Sequence, residues 1–352
     1  MAPDSSNVLL TTFPEHRSRN VGDCLITDST LSLIRSRVPQ FDPVILFREE
    51  SLDSLNDEVV RNIIAPGFSV SNGTYPNLFR LYADLQRMPA FFPIGCSLQH
   101  PSAGASVASD YSYDRHTLNF LRWIASEFGP LPCRDHLIVD ILSRHGISAV
   151  YSGDMALYDE KKIGLPFQPP AAMNSVVFTI PHHERFVRQA AGVLNAIVAC
   201  ASQARRYVAF HSLPNSHSRR VAELALALGF EELHLYGSAC NLDIYDDIDL
   251  HIGYRLHGHI AFLRRRKASV LLVEDFRSYG FSQTWGTSVG CFNAFGCGSI
   301  SEDEALPAEI IRFVNQQFDE EFDDYRRVFD SIDSTHAAFV KPYFDDLASR
   351  LC

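Results

Sequence analysis

The chain repeats one pattern: a short apolar run, a polar turn, then apolar positions spaced three and four apart. That rhythm predicts strand, turn and helix in alternation. Its clearest instance is Asp249 to Phe281. Asp249 to Gly253 suits a buried strand, with Arg255, Leu256 and His257 at its end. His259 to Arg266 carries Ile260 and Leu263 before a basic tail and predicts a short helix. Val270 to Val273 is a second strand, which delivers Glu274, Asp275 and Arg277 into a loop. Strand, helix, strand is a βαβ unit, and ligands of such sheets gather beyond the carboxyl ends of the strands. A helix start beside Arg255 adds backbone N–H groups and a positive dipole end, which suit a phosphate or carboxylate.

The same pattern runs through the rest of the chain. Asn7 to Thr12 leads to Asn20-Val21-Gly22-Asp23 and a helix over Ile26 to Ile34. Gly22 lets a backbone approach closely, and Asp23, read alone, caps the helix. Strands are predicted at Val44–Phe47, Arg61–Ala65 and Ala90–Gly95, the last running on to His100, and a helix at Asn77–Gln86. Helices at Asp114–Phe128 and Leu137–Arg144 precede a strand at Ile147–Tyr151 and then Gly153-Asp154. Lys161 to Met173 holds three prolines and a glycine, which predicts a linker.

A second series follows. Ser175–Ile180 is a strand ending near His182 and His183, and Glu184–Ser202 is a helix. Tyr207–Phe210, His217–Leu228 and Glu232–Tyr236 continue the alternation. After Ser299 the chain reads as acidic and helical, over Glu304–Asp323 and Asp324–Leu351. The expected class is α/β. Two Rossmann-like domains, residues 1–165 and 174–305, face a cleft in the glycosyltransferase-B manner, and a helical tail over 306–352 packs back.

Composition narrows the function. At 352 residues the chain exceeds one average core. Apolar residues at 46% and charged residues at 21% are ordinary for a soluble protein. A formal net charge of -11 argues against nucleic acid as a partner. It leaves room for a small anionic substrate held by a local arginine cluster. The N-terminus has no basic start before an apolar stretch, and the longest low-polarity run, Ala190–Ala201, is too short to span a bilayer. A cytoplasmic protein is expected, with no transmembrane segment. Cysteines at 24, 96, 133, 200, 240, 291, 297 and 352 show no CxxC spacing, which favours reduced thiols over a disulfide framework.

Polar groups at predicted strand ends are the candidate chemistry: Asp23, His100, Arg134, Asp154, His182, His183, His211, Arg255, His257, Asp275 and Arg277. Each alone is ordinarily solvated or structural. Arg255 and His257 form the strongest pair, because positions i and i+2 on an extended backbone point to one side. A guanidinium fork and a proton-carrying imidazole would then converge. The competing reading pairs Arg255 with Asp247 or Asp249 and leaves His257 in the core. His182-His183 and His257-x-His259 have no further ligands at recognised spacing, so no metal is expected. No glycine fingerprint for a dinucleotide is present, so neither is NAD.

Four separated motifs, in order, resemble the polysaccharide pyruvyl transferase family. They are Asn20-Val-Gly22-Asp23, then Pro93-Ile-Gly95-x-Ser97, then Arg134-Asp135 with Gly153-Asp154, and finally Tyr254-Arg255-Leu256-His257 with Asp275-x-Arg277. The chain departs from the family at Ala65-Pro66-Gly67, where a Gly-rich turn is common, and at Ile138, where Ser or Thr is usual. The resemblance implies transfer of a pyruvyl group from phosphoenolpyruvate to saccharide hydroxyls, with release of phosphate and formation of a ketal. It implies no cofactor beyond that co-substrate. It places the acceptor on the N-terminal side and the donor on the C-terminal side. Arg255, Leu256, Arg134 and His182 would bind the donor. His257 would be the general acid, with His100 or His182 as alternatives, and Asp23 or Asp154 the base. Asn20, Gly22, Asp275 and Arg277 would complete the cleft. The acceptor would be a saccharide, free or lipid-linked, which leaves room for peripheral membrane association. A nucleotide-sugar glycosyltransferase is the alternative on the same architecture.

Overall fold

The computed structural model describes residues 5–55, 59–100, 102–295 and 300–351, without the side chains of 5 and 300–304. Strands β1 (Ser5–Thr11), β2 (Val44–Phe47), β3 (Val59–Pro66) and β4 (Ala90–Ile94) form a parallel sheet in the order β2-β1-β3-β4. A single parallel bridge, Cys96 to Cys133, passes the sheet on to a parallel pair, β5 (Leu131–Cys133) and β6 (Ala149–Tyr151). Helix α1 (Val21–Arg35) follows β1. Helices α2 (Ala105–Asp110), α3 (Arg115–Phe128) and α4 (His136–Arg144) belong to the same half.

The second half is one six-stranded parallel sheet. It comprises β7 (Ser175–Thr179), β8 (Arg205–Phe210), β9 (Glu231–His234), β10 (Leu250–Gly253), β11 (Ser269–Val273) and β12 (Cys291–Asn293). Their order is β12-β11-β10-β7-β8-β9, the doubly wound arrangement with its switch point between β7 and β10. Strands β7, β10 and β11 are buried along their whole length, as strands covered on both faces must be. Helices α5 (Val187–Cys200), α6 (Ser216–Ala227), α7 (Leu256–Arg264) and α8 (Phe276–Ser282) complete this half.

A close approach fixes the end of β10. A Cβ on Gly253 would sit 2.3 Å from Thr179 Oγ1 and 2.5 Å from Thr179 N, so only glycine lets β10 lie against β7 there. Arg255 N then donates to Thr179 Oγ1 at 3.2 Å. His251 is wedged beneath, with Nε2 2.8 Å from Thr179 Oγ1 and Nδ1 2.7 Å from Ser269 Oγ. The backbone that presents Arg255 is therefore fixed from both neighbouring strands.

Helices α9 (Ile300–Asp319), α10 (Asp324–Thr335) and α11 (Lys341–Leu351) return across both halves. Helix α9 lies against α5, where Gly192 faces Pro307. Tyr343 Oη donates to Pro93 O at 3.2 Å, next to the first sheet. Arg37, just past α1, bonds Glu160 at 2.8 Å and Asp345 at 2.6 Å, and Arg266 pairs with Asp333. One apolar core joins Leu9, Val21 and Ile26 of the first half to Ile252, Ile260 and Phe344.

Several elements differ from expectation. Asn77–Gln86 is not a helix: short turns at Thr74–Leu78 and Leu85–Arg87 flank an irregular stretch. Phe79 and Leu81 are both fully buried there, an i, i+2 spacing that one helix face cannot deliver. Helix α7 starts at Leu256, three residues before the expected His259. The loop after Glu274 holds helix α8, closed by a capping box between Asp275 and Ser278. Helix α2 and strands β5 and β12 are too short to carry a periodic signal. Residues 161–173 form no helix or strand, and Gly164 N binds Asp333 of α10. Cys297 and Cys352 lie outside the described residues, as does part of the 174–305 segment. The other six cysteines are free thiols.

Candidate active site

The carboxyl ends of the two sheets face a cavity of about 540 Å³. Thr12, Asn20, Asp23, Arg48 and His100 line it from the first half. His182, Ser212, Arg255, Asp275 and Arg277 line it from the second. Three helices begin at this cavity: α1 at Asn20, α7 at Arg255 and α8 at Asp275. Their N-terminal dipole ends make its floor electropositive.

Asn20, not Asp23, caps α1. Its Oδ1 accepts from Gly22 N at 3.2 Å, and its Nδ2 donates to Asp23 Oδ2 at 2.8 Å. Asp23 is thereby aimed along the cavity wall instead of at the helix backbone. Val21 N donates to His211 O at 2.9 Å and ties this cap to the second half.

Arg255 reaches three neutral groups. Nη1 donates to His182 Nδ1 at 3.2 Å; Nη2 donates to Ser212 Oγ at 3.0 Å and to Asn20 Oδ1 at 3.4 Å. Half of the competing reading fails, because Asp249 turns away to bond Ser175 and Asn174, while the other half holds, because His257 is buried. Among the described residues no carboxylate lies within ion-pair distance of Arg255, and α7 has no side-chain cap. A guanidinium with no carboxylate in contact, beside an uncapped helix start, is a seat for an anion.

His182 takes its tautomer from that contact. A guanidinium only donates, so Nδ1 accepts and the neutral ring carries its proton on Nε2. Burial in the cleft wall, then the Arg255 and Arg277 charges, push this imidazole down to about 3. Arg277 is held differently. Its Nε and Nη2 both donate to Asp275 Oδ2, at 2.8 and 2.6 Å. Burial opposes ionisation of Asp275, but Arg277 and Ser278 outweigh it and hold the carboxyl below its usual range. Glu274 is buried and accepts from His182 N at 2.8 Å. Burial and the Asp275 charge push its carboxyl up to about 8, so it is protonated near neutrality.

Arg134, Asp154 and His257 do not line the cavity; they are buried together behind it. His257 Nε2 is 3.4 Å from Asp154 Oδ2, Arg134 Nη1 is 3.8 Å from the same oxygen, and Arg134 Nε is 3.6 Å from Asp135 Oδ2. Burial works against the Asp154 charge, yet His257 and Arg134 hold its carboxyl below its ordinary value. The i, i+2 argument for Arg255 and His257 fails because α7 begins between them. Arg255 sends its side chain into the cleft, and His257, in the first helical turn, sends its own to Asp154. Gly22 marks the spot: a Cβ there would stand 2.5 Å from His257 Nδ1. Leu256 is core, 7% exposed. His100 lines the cleft edge-on to Phe276, with ring centroids 6.1 Å apart. His211 is buried against Tyr245 Oη at 2.7 Å.

Arg48 and Ser212 are among the lining residues that escaped the sequence, and Ser212 accepts from Arg255. Arg48 stands one position past β2, at a strand end like the others, and its Nε is buried without a hydrogen-bond partner. Ser212 has only its place after β8 to mark it. Among the described residues, no three His, Cys, Asp or Glu side chains are grouped to hold a metal. No helix among them is long and apolar enough to cross a membrane.

Two facing doubly wound sheets, a cleft at their carboxyl ends and returning C-terminal helices define a glycosyltransferase-B-like fold. The chain is similar to a putative UDP-N-acetylglucosamine 2-epimerase from Listeria monocytogenes, with a TM-score of 0.52 at 11% identity over 98% of both chains. A UDP-GlcNAc 2-epimerase from Neisseria meningitidis bound to UDP-GlcNAc aligns over 99% of both chains at 11% identity and a TM-score of 0.49. An accessory secretory protein assembly from Streptococcus pneumoniae aligns at 10% identity and a TM-score of 0.46, over 84% of this chain and 56% of that one. None of the curated proteins matches by sequence. The polysaccharide pyruvyl transferase family model matches residues 20–273, and the chain belongs to that family. It is a transferase by that membership, with a saccharide as its acceptor.

Proposed function

We propose that the protein transfers the pyruvyl group of phosphoenolpyruvate to two hydroxyls of one saccharide, giving a pyruvate ketal and inorganic phosphate. The observation that carries this reading is Arg255, a guanidinium with only neutral partners at an uncapped helix start. A small donor with a carboxylate and a phosphate needs such a cationic seat. Arg255 and Arg48 take its anionic groups, with Arg277 beside them and His182 Nε2 donating a hydrogen bond.

In the first step the donor methylene carbon gains a proton and becomes a methyl group. A saccharide hydroxyl oxygen bonds the adjacent carbon and gives its proton to Asp23. Phosphate then leaves with the C–O electron pair, the second hydroxyl bonds the same carbon and returns its proton to His182, and the proton held by Asp23 passes to the released phosphate. His182 is the imidazole that faces the donor, so it replaces His257 as proton donor. Burial, then two arginine charges, keep its ring neutral; the donor's charges offset the arginines, and its proton affinity rises. His100 reaches the same cavity from the opposite wall. His257 acts at one remove, as a positioning residue under α1. The acceptor, free or lipid-linked, is met in the cytoplasm, and no metal or other cofactor is required.

The test is a thermal-shift comparison of phosphoenolpyruvate with UDP- and GDP-sugars, followed by a phosphate-release assay with saccharides. Stabilisation by phosphoenolpyruvate and saccharide-dependent phosphate release are expected. Stabilisation by a nucleotide sugar alone would replace this reading with a glycosyltransferase.

A further inference from the structure

A second cavity, of about 430 Å³, adjoins the cleft. Pro14, Arg17 and Phe47 line both and form their common wall. Helix α1 runs past the two: Asp23 faces the cleft, and Thr27 and Asp28, one turn on, face the second cavity. At the border Thr12, 5% exposed, holds a buried Oγ1 without a hydrogen-bond partner.

The two cavities differ in charge balance: the cleft sets four arginines against Asp23, Glu49 and Asp275. The second cavity presents the carboxyl groups of Glu15, Asp28 and Glu50. Its Arg17 is already engaged by Glu49, through bonds of 3.1 and 2.7 Å. Phe13, Ile45 and Phe47 give it an apolar wall, and Ile45 is 52% exposed on an edge strand.

We propose that this cavity is the acceptor subsite and that it takes an uncharged pyranoside, an assignment that rests on reading the cleft as the donor site. A sugar ring has an apolar face for Phe13, Ile45 and Phe47, and its hydroxyls donate to carboxylates. A ring seated here directs hydroxyls across the Thr12 border toward Asp23. The carboxylates repel saccharides that carry uronate or phosphate groups.

Saturation-transfer NMR tests this with methyl glucoside, galactoside and mannoside against the corresponding methyl uronates. The proteins are the wild type, Ile45→Ser and Glu50→Lys, both changed at exposed positions. At least one neutral glycoside should bind the wild type, and each substitution should weaken it about tenfold. The uronates should bind only to Glu50→Lys, and stabilisation by phosphoenolpyruvate should be unchanged in both variants. Neutral glycosides that fail to bind the wild type, or bind the variants equally well, would overturn the assignment, as would uronates that bind the wild type as tightly. Loss of phosphoenolpyruvate stabilisation in the wild type would instead remove the donor reading, while the glycoside results still report on this cavity.

Discussion

His257 Nε2 lies 3.4 Å from Asp154 Oδ2, and this buried contact joins the first turn of α7 to the end of β6. The pair crosses from one sheet's half to the other, so it fixes how the walls of the cleft meet. The folded-state carboxyl of Asp154 is held below its ordinary value. A depressed carboxylate contributes stability above its unfolded value of about 4 and loses it as pH falls through the folded value. Asp154→Asn keeps the acceptor that caps Ala156 N but removes the charge. It should cost about 3 kcal/mol in urea unfolding at pH 7, the scale of a broken buried pair. The deficit should shrink as pH falls below about 4, where first the unfolded chain and then the folded carboxyl takes up the proton. A deficit independent of pH would show that the charge contributes nothing.

Gly22 permits that arrangement. A methyl group there would meet His257 Nδ1, Cγ and Cβ at 2.5 to 2.7 Å, and the Cβ among them cannot swing aside as a side-chain tip could. Gly22→Ala should destabilise by about 1–3 kcal/mol through overpacking, although alanine is the better helix former. The matching measurement is chemical denaturation beside turnover, and both should fall. A gain in stability would mean that α1 and α7 separate easily.

The apolar runs of β7, β10 and β11 were legible in the sequence, and they place His182, Arg255 and Asp275 just beyond those strands, where they line the cleft. The sequence could not separate the layer that lines the cleft from the layer behind it. Arg255 and His257 diverge because one helix starts between them, and a boundary moved by three residues reverses a side chain's direction. Arg134 and Asp154 match the family's motifs and also sit at strand ends, but α1 and α7 close over them. Arg48 was hidden for a different reason: it stands alone after a four-residue strand, and only its unpartnered Nε distinguishes it.

Glu274 predicts a second pH effect of opposite sign. Its folded value of about 8 exceeds the ordinary carboxyl value of 4.5, chiefly through burial and then the Asp275 charge. A carboxyl raised on folding costs stability as pH climbs from the unfolded value toward the folded one, by up to about 1.4 kcal/mol per unit. The wild type should therefore lose melting temperature between about pH 5 and 8. Glu274→Gln keeps an oxygen for His182 N and has no proton to lose, so its profile should be flatter. Parallel profiles would show that Glu274 is ionised throughout.

Arg255 and Arg277 are both guanidiniums in the cleft, but only one has a carboxylate partner. Asp275 already accepts two bonds from Arg277, whereas Arg255 spreads its donors over His182, Ser212 and Asn20. A bound anion therefore gains more from Arg255 and competes with no internal pair for it. Lysine at 255 keeps a charge but loses the planar fork that spans those groups. Arg255→Lys should lower kcat/KM for phosphoenolpyruvate by about 10²–10³, the effect of removing one well-placed donor to a developing anion. It should also abolish the donor's thermal stabilisation and release His182 Nδ1. Arg277→Lys, which keeps its ion pair with Asp275, should lower kcat/KM by about tenfold or less, as for loss of one shared contact. Steady-state kinetics with phosphate release, run on both variants, orders the two effects, and the reverse order would mean that the anion sits on Arg277.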